Sequence, residues 1–336
     1  MLRIQQDPAI VLETGGSDWV YAVAFHPDGK HLLGGGEDGI RRWRLADGQE
    51  VAKQMGMQLY AISVSRDGKW VVCGTNKGAS VWDAELHEKF IDVGGGNTVY
   101  AVDVSPDSTR FATGTGGDAS IWDIATGERL IGPLERDNYV NGVRFSPNGE
   151  HIATSCSRGS VRIFDSHDGN RLIDIDTIAR STWPITPLAW SNDGERIFAV
   201  SQDNNIKSFA VSTGSQLAAS LILGKDSYSI SLAGNNKFIA AVAKDAISFL
   251  DASTLAKVGT AIKGKWATGI SSDNSRIATG RLDGKIIIQD LANLLLDSYG
   301  PFQVTNCPFI MLTRQITTIP RIRHQPTWND KQTRNL

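Results

Sequence analysis

One turn signal returns seven times along the 336-residue chain, and no other feature constrains the fold as strongly. It reads Phe25-His26-Pro27-Asp28-Gly29, Val64-Ser65-Arg66-Asp67-Gly68, Val104-Ser105-Pro106-Asp107-Ser108, Phe145-Ser146-Pro147-Asn148-Gly149 and Trp190-Ser191-Asn192-Asp193-Gly194. Looser copies lie at Leu232–Asn236 and Ile270–Asn274. From Asp28 the key residues Asp67, Asp107, Asn148, Asp193, Asn235 and Asp273 follow at intervals of 39, 40, 41, 45, 42 and 38. A second marker stays in phase: Trp43-Arg44, Trp82-Asp83, Trp122-Asp123, Phe164-Asp165, Phe209-Ala210, Leu250-Asp251 and Gln289-Asp290.

Within a period the pattern is β. Val20–Phe25 is a short apolar run stopped by a Pro-Asp-Gly turn, and His31–Gly34 follows. After a Gly-Glu-Asp-Gly turn, a third strand ends at Trp43, and an Asp47-Gly48 turn leads to a fourth near Glu50–Lys53. Such turns need positive φ, which accounts for 34 glycines, about 10% against a usual 7%. No segment before Leu291 sustains a 3.6-residue period.

Four strands per period, closed by Trp-Asp at Trp82-Asp83 and Trp122-Asp123, resemble the WD40-repeat β-propeller family over residues 9–290. The resemblance implies an all-β fold: a seven-bladed propeller of four-stranded antiparallel blades. The seventh period supplies three strands, near Ala267–Ile270, Arg276–Arg281 and Lys285–Asp290. Ala9–Glu13 is expected to add its outer strand, pairing two edges that would otherwise stay open. The resemblance also implies a His, Ser/Thr, Asp and Trp tetrad in each blade. The His is missing from all seven periods, and a plausible turn Asp remains at Asp38, Asp203 and Asp283, so apolar packing between blades is expected to dominate. Residues 291–336 leave the repeat; one short helix at Leu291–Leu296 and then mostly disorder are expected there.

Composition narrows the function classes. Net charge is −2 at a pI near 6.3, against the basic clustering that sequence-independent nucleic-acid binding requires. Apolar runs such as Phe238–Ala243 fall far short of the roughly 20 residues that span a bilayer. The first residues lack an apolar leader, and three widely spaced cysteines (Cys73, Cys156, Cys307) make no disulfide framework. The chain reads as soluble and cytoplasmic, with a nuclear location left open.

No catalytic constellation emerges. The six histidines show no metal-ligand spacing and are expected to be solvated turn residues, and no metal or cofactor is expected. Cys73 and Cys156 are expected to act as small buried hydrophobes. Gly259–Lys265 has the spacing of a phosphate loop, but Trp266 follows where Ser or Thr is needed. A propeller hydrolase or lactonase would need His and carboxylates converging on inner strands that carry mainly Ala, Val, Ile and Tyr.

The strongest functional clue is a register. Aligned on Phe25, Val64, Val104, Phe145, Trp190, Leu232 and Ile270, the residues four positions earlier are Tyr21, Tyr60, Tyr100, Asn141, Thr186, Tyr228 and Trp266. Two positions before that stand Trp19 and Tyr139 in the first and fourth periods. The resemblance puts this register at the start of the innermost strands, near the channel mouth. The aromatics either pack between blades or ring the entrance as a binding surface, with Glu37 and Gln202 as polar rim. The expected function is a non-enzymatic scaffold that binds a protein or peptide at the narrow face. The alternative is a sensor module related to the WD40 parts of larger ATPase signalling proteins.

Overall fold

Each Ser-x-Asp turn closes on itself, and this local chemistry builds the repeat. In the computed structural model Ser65 Oγ donates to Asp67 Oδ1 at 2.6 Å and accepts from Trp70 N at 2.9 Å, while Asp67 Oδ1 accepts from Lys69 N. Ser105, Ser191 and Ser271 repeat the arrangement with Asp107, Asp193 and Asp273. The turn demands a left-handed residue: Gly68 has φ 71°, and where glycine is absent Ser108, Asn236 and Asn274 take φ 62°, 57° and 58°. The structure describes residues 10–15, 19–136, 138–156, 160–176, 188–200, 205–220, 227–243, 246–263 and 267–299.

The described strands form seven four-stranded antiparallel sheets. Strand β1 (Ile10–Glu13) precedes the first blade, which comprises β2 (Val20–Phe25), β3 (His31–Gly36), β4 (Gly39–Arg44) and β5 (Glu50–Met55). The second holds β6 (Leu59–Val64), β7 (Trp70–Thr75), β8 (Gly78–Asp83) and β9 (Lys89–Val93), and the third β10 (Ala101–Val104), β11 (Arg110–Gly114), β12 (Asp118–Asp123) and β13 (Arg129–Glu135). The fourth is β14 (Val140–Phe145), β15 (His151–Cys156), β16 (Ser160–Asp165) and β17 (Arg171–Asp176). The fifth is β18 (Leu188–Trp190), β19 (Arg196–Val200), β20 (Ile206–Ala210) and β21 (Gln216–Ala219). The sixth is β22 (Ser227–Leu232), β23 (Phe238–Ala243), β24 (Ala246–Asp251) and β25 (Lys257–Lys263). The last sheet runs β26 (Thr268–Ile270), β27 (Arg276–Gly280), β28 (Lys285–Asp290) and then β1.

Ring closure follows the sequence reading. Ile10 pairs with Ile288 and Glu13 with Lys285, Thr14 N and Oγ1 both donate to Gly284 O, and Leu12 is 1% exposed. The closing core joins Leu12, Ile286 and Ile288 of the last sheet to Val20, Val23 and Leu32 of the first blade. Other cores lie between successive blades, such as Ala61, Val72 and Val81 against Val102, Val104 and Phe111. Packing is therefore apolar between blades, as expected, yet a remnant of the implied tetrad persists in the third blade. Trp122 Nε1 of β12 donates to Thr113 Oγ1 of β11 at 2.9 Å, whereas Trp82 Nε1 donates to Ser80 Oγ of its own strand at 2.9 Å.

The helix expected at Leu291–Leu296 is α1 (Leu291–Tyr299), three residues longer. Asp290 Oδ1 caps it by accepting from Ala292 N at 2.8 Å. Its Leu294 and Leu295 lie against Gly259 of β25, where a Cβ would sit 2.5 Å from Leu294 O. The disorder expected over the rest of 291–336 lies outside the described residues. Among the described residues no helix is long and apolar enough to cross a membrane.

Candidate functional site

The aromatic register coincides with a backbone irregularity that the sequence does not display. Val20 pairs with Gly36 and Ala22 with Gly35, so Tyr21 is an extra residue in β2. The same slip falls at Tyr60 between Leu59 and Ala61, at Asn141 in β14 and at Tyr228 in β22. A bulge sets two residues of one strand against one of its partner, bends the strand and re-aims a side chain. Tyr21 and Tyr60 are thereby turned out of the alternating in-and-out pattern.

The rings form a chain across the first four blades. Trp19 meets Tyr21 edge-on at 6.0 Å between centroids, and Tyr21 stacks on Tyr60 at 5.9 Å. Tyr60 meets Tyr100 at 5.6 Å, and Tyr100 meets Tyr139 edge-on at 5.4 Å. Exposure grades along the arc: Tyr21 is buried at 9%, Trp19, Tyr60 and Tyr100 are half-buried, and Tyr139 is 53% exposed. Glu37, on the β3–β4 turn, is exposed and accepts from the Tyr21 hydroxyl at 3.1 Å. Burial pushes the Tyr60 hydroxyl above its ordinary pKa, and the neighbouring Tyr100 and Glu37 add to the shift. Tyr60 is therefore a neutral donor at physiological pH.

Of the other expected site residues, Tyr228 lies in β22, and its side chain is outside the described residues, as are Trp266 and Gln202. The structure therefore brings together Trp19, Tyr21, Tyr60, Tyr100, Tyr139 and Glu37. Beside Tyr100 a polar surface pocket of about 350 Å³ is lined by Asn97, Thr98, Thr115 and Asp118. Below the arc a smaller cavity of about 60 Å³ lies among the inner strands, bordered by Tyr21, Tyr60, Tyr100, Arg144, Ser231 and Thr268.

Sequence reasoning missed the polar network on those inner strands. Arg144 Nη1 pairs with Asp103 Oδ1 at 2.8 Å, and Phe145 N donates to Asp103 Oδ2 at 2.9 Å. Ser63 Oγ donates to Asp103 at 3.4 Å, linking three blades. The signal was available: Ser63, Asp103 and Arg144 each stand one residue before the last apolar position of otherwise apolar strands.

The histidine expectation needs correction at His26. Its side chain is not solvated but 8% exposed, and its Nε2 lies 3.0 Å from Gly68 O of the next blade. The ring fits because Gly68 has no Cβ; one built there would stand 3.0 Å from His26 Cε1. The turn also brings His26, Asp28 and His31 together, with their ligand atoms all within 4.8 Å of one another. Pairwise spacing along the chain gave no sign of this, because the hairpin and not a two-histidine motif makes the approach. Cys73 is buried as expected, and burial raises its thiol pKa. Cys156 differs: its Sγ accepts from Arg136 Nη2 at 2.7 Å and Nε at 3.0 Å.

Comparison with known proteins agrees with this architecture. A profile described as "WD domain, G-beta repeat" matches residues 9–40 and 89–123, and one for the "Anaphase-promoting complex subunit 4 WD40 domain" matches residues 117–183. An uncharacterized WD repeat-containing protein of Schizosaccharomyces pombe is 29% identical over 154 residues, 44% of this chain and 26% of that protein. COMPASS component SWD1 of Saccharomyces cerevisiae is 32% identical over 91 residues, 26% of this chain and 21% of its own length. The intraflagellar transport protein 122 homolog of Xenopus tropicalis is 20% identical over 288 residues, 81% of this chain and 23% of its own. The chain thus spans about a quarter of the length of these relatives. Seven sheets of four strands, the in-phase Trp-Asp-like markers and these matches together give the chain the architecture of a WD40-repeat β-propeller.

Proposed function

We propose that the protein is a non-enzymatic interaction scaffold that receives a protein or peptide on the face where β2, β6, β10 and β14 begin. One observation carries this reading: five aromatic rings from four blades touch in sequence along that face and open to solvent at Tyr139. Tyr and Trp dominate binding hot spots because they bury large rigid surfaces at small entropic cost while keeping a polar tip. The polar pocket beside Tyr100 offers hydrogen-bonding groups next to that apolar strip, as an extended peptide requires. A net charge of −5 over residues 1–290, against +3 over 291–336, favours a basic or neutral partner for the ring. Two WD-repeat relatives carry names that point to complexes or transport, which supports a scaffold role without identifying a partner for this chain.

The test is affinity capture followed by mass spectrometry, comparing the native protein with a Tyr60→Ala/Tyr100→Ala double variant. Loss of specific partners at a preserved fold supports the reading. Retention of every partner overturns it.

A further inference from the structure

We infer that the first-blade turn formed by His26, Asp28 and His31 is a binding site for a divalent transition metal, Zn²⁺ foremost. The turn departs from its own repeat. At the position of His26 the other blades carry Ser65, Ser105, Ser146, Ser191, Ala233 and Ser271, and the serine hydroxyls donate to the turn carboxylate or amide. The first blade replaces that hydroxyl with an imidazole and adds a second at His31.

The donor atoms converge and are oriented by their surroundings. Asp28 Oδ2 lies 3.1 Å from His26 Nδ1 and 2.6 Å from His31 Nδ1. The other carboxylate oxygen, Oδ1, is held by Lys30 N at 2.7 Å and His31 N at 3.1 Å, which fixes the direction of Oδ2. His26 Nε2 faces the Gly68 carbonyl at 3.0 Å, and a carbonyl only accepts, so the proton resides on Nε2. Nδ1 then presents a lone pair, which Asp28 N approaches at 3.2 Å. That lone pair and Asp28 Oδ2 lie 3.1 Å apart, and a cation bound by both would replace the Asp28 N–H as the partner of Nδ1.

Metal-bound histidines are held in the same way, the remote ring nitrogen donating to a backbone carbonyl and setting the tautomer. Two imidazoles and one carboxylate suit Zn²⁺, which takes such ligands at about 2.0–2.1 Å and leaves its fourth position to water. His31 gives up the proton on Nδ1 for the other tautomer; to reach the roughly 3.3 Å spacing of tetrahedral ligands, His26 Nδ1 moves about 0.2 Å and His31 Nδ1 about 0.7 Å away from Asp28 Oδ2. Because β2 runs away from the aromatic arc, the site lies on the opposite face. Through Gly68 it would clasp the first blade to the second.

The repeat supplies conservative test variants. Asn fills the Asp28 position as Asn148 and Asn235, Arg fills the His31 position as Arg110, Arg196 and Arg276, and Ser fills the His26 position in five blades. Zn²⁺ should be titrated calorimetrically into the full chain and into Asp28→Asn, His31→Arg and His26→Ser, with folding checked by circular dichroism. The expected result is one Zn²⁺ per native chain and a loss of affinity of at least roughly tenfold in each folded variant. A Zn²⁺-dependent rise in melting temperature should accompany binding in the native chain alone. No binding by the folded native protein overturns the inference. Equal binding by the native chain and all three variants also overturns it, by locating the metal elsewhere.

Discussion

Tyr21 and Tyr60 belong to different blades, yet their rings stack 5.9 Å apart at 30° because each is the extra residue of a bulge on its inner strand. The stack makes two roles coexist in one side chain. A ring can seal the seam between blades and still offer an edge to a partner.

That duality separates the arc by exposure. Tyr139, 53% exposed, should be replaceable by Ala within about 0.5 kcal/mol of native stability, whereas the buried Tyr21 should cost about 3 kcal/mol or more. If the arc binds a partner, Tyr139→Ala should still weaken capture by roughly tenfold or more. Chemical denaturation and pull-down of the same preparations measure the two effects side by side.

The inner-strand pair should be unforgiving at its acid. Asp103→Ala leaves Arg144 Nη1 and the amide of Phe145 without their acceptor, a loss of about 3 kcal/mol. Arg144→Met should cost less, because Ser63 and Phe145 N still serve the carboxylate. A double-mutant cycle in urea should yield a coupling of about 1 kcal/mol; simple additivity would show that the pair does not link the blades.

Removing residues 1–14 should open the ring. The deletion strips β1 from β28, exposes a row of unpaired backbone groups and takes Leu12 out of the closing core. The melting transition should fall sharply or give way to aggregation, and Leu12→Ala alone should cost about 2–5 kcal/mol. An unchanged melting curve for the deletion would remove the closing role of β1.

Acid stability should carry the mark of the turn carboxylates. Burial works against the charged form of Asp251, but hydrogen bonds from Ser253 and Thr254 outweigh it and hold the pKa at about 2. A depressed folded-state pKa stabilises the protein above the unfolded value near 4, and that contribution disappears as pH falls from about 5 toward 2. Because the group is solvent-screened, Asp251→Asn should flatten the stability profile in that window by less than about 1 kcal/mol. Denaturation midpoints at pH 6 and pH 2.5 provide the comparison.

The repeat made most of the architecture legible, since a turn related to Ser-x-Asp and a strand end related to Trp-Asp recur in phase in every period. The partner strand of the last blade was legible for the same reason: three strands leave an edge, and Ala9–Glu13 was the apolar segment ahead of the first full period. The aromatic register could be counted from sequence, but not the bulges that turn Tyr21 and Tyr60 toward each other, because a bulge is defined by the partner strand. Asp103 and Arg144 were overlooked because each looks like a stray charge on an apolar strand until two blades are set side by side.

The sequence by itself determined the number of blades, the four strands in each and how the ring is sealed, since turn geometry and alternation act within one period. Tertiary structure alone decided that His26 is buried against Gly68 and that tyrosines from separate blades touch. Such contacts depend on how closely neighbouring sheets approach, a distance set by the packing of the whole ring.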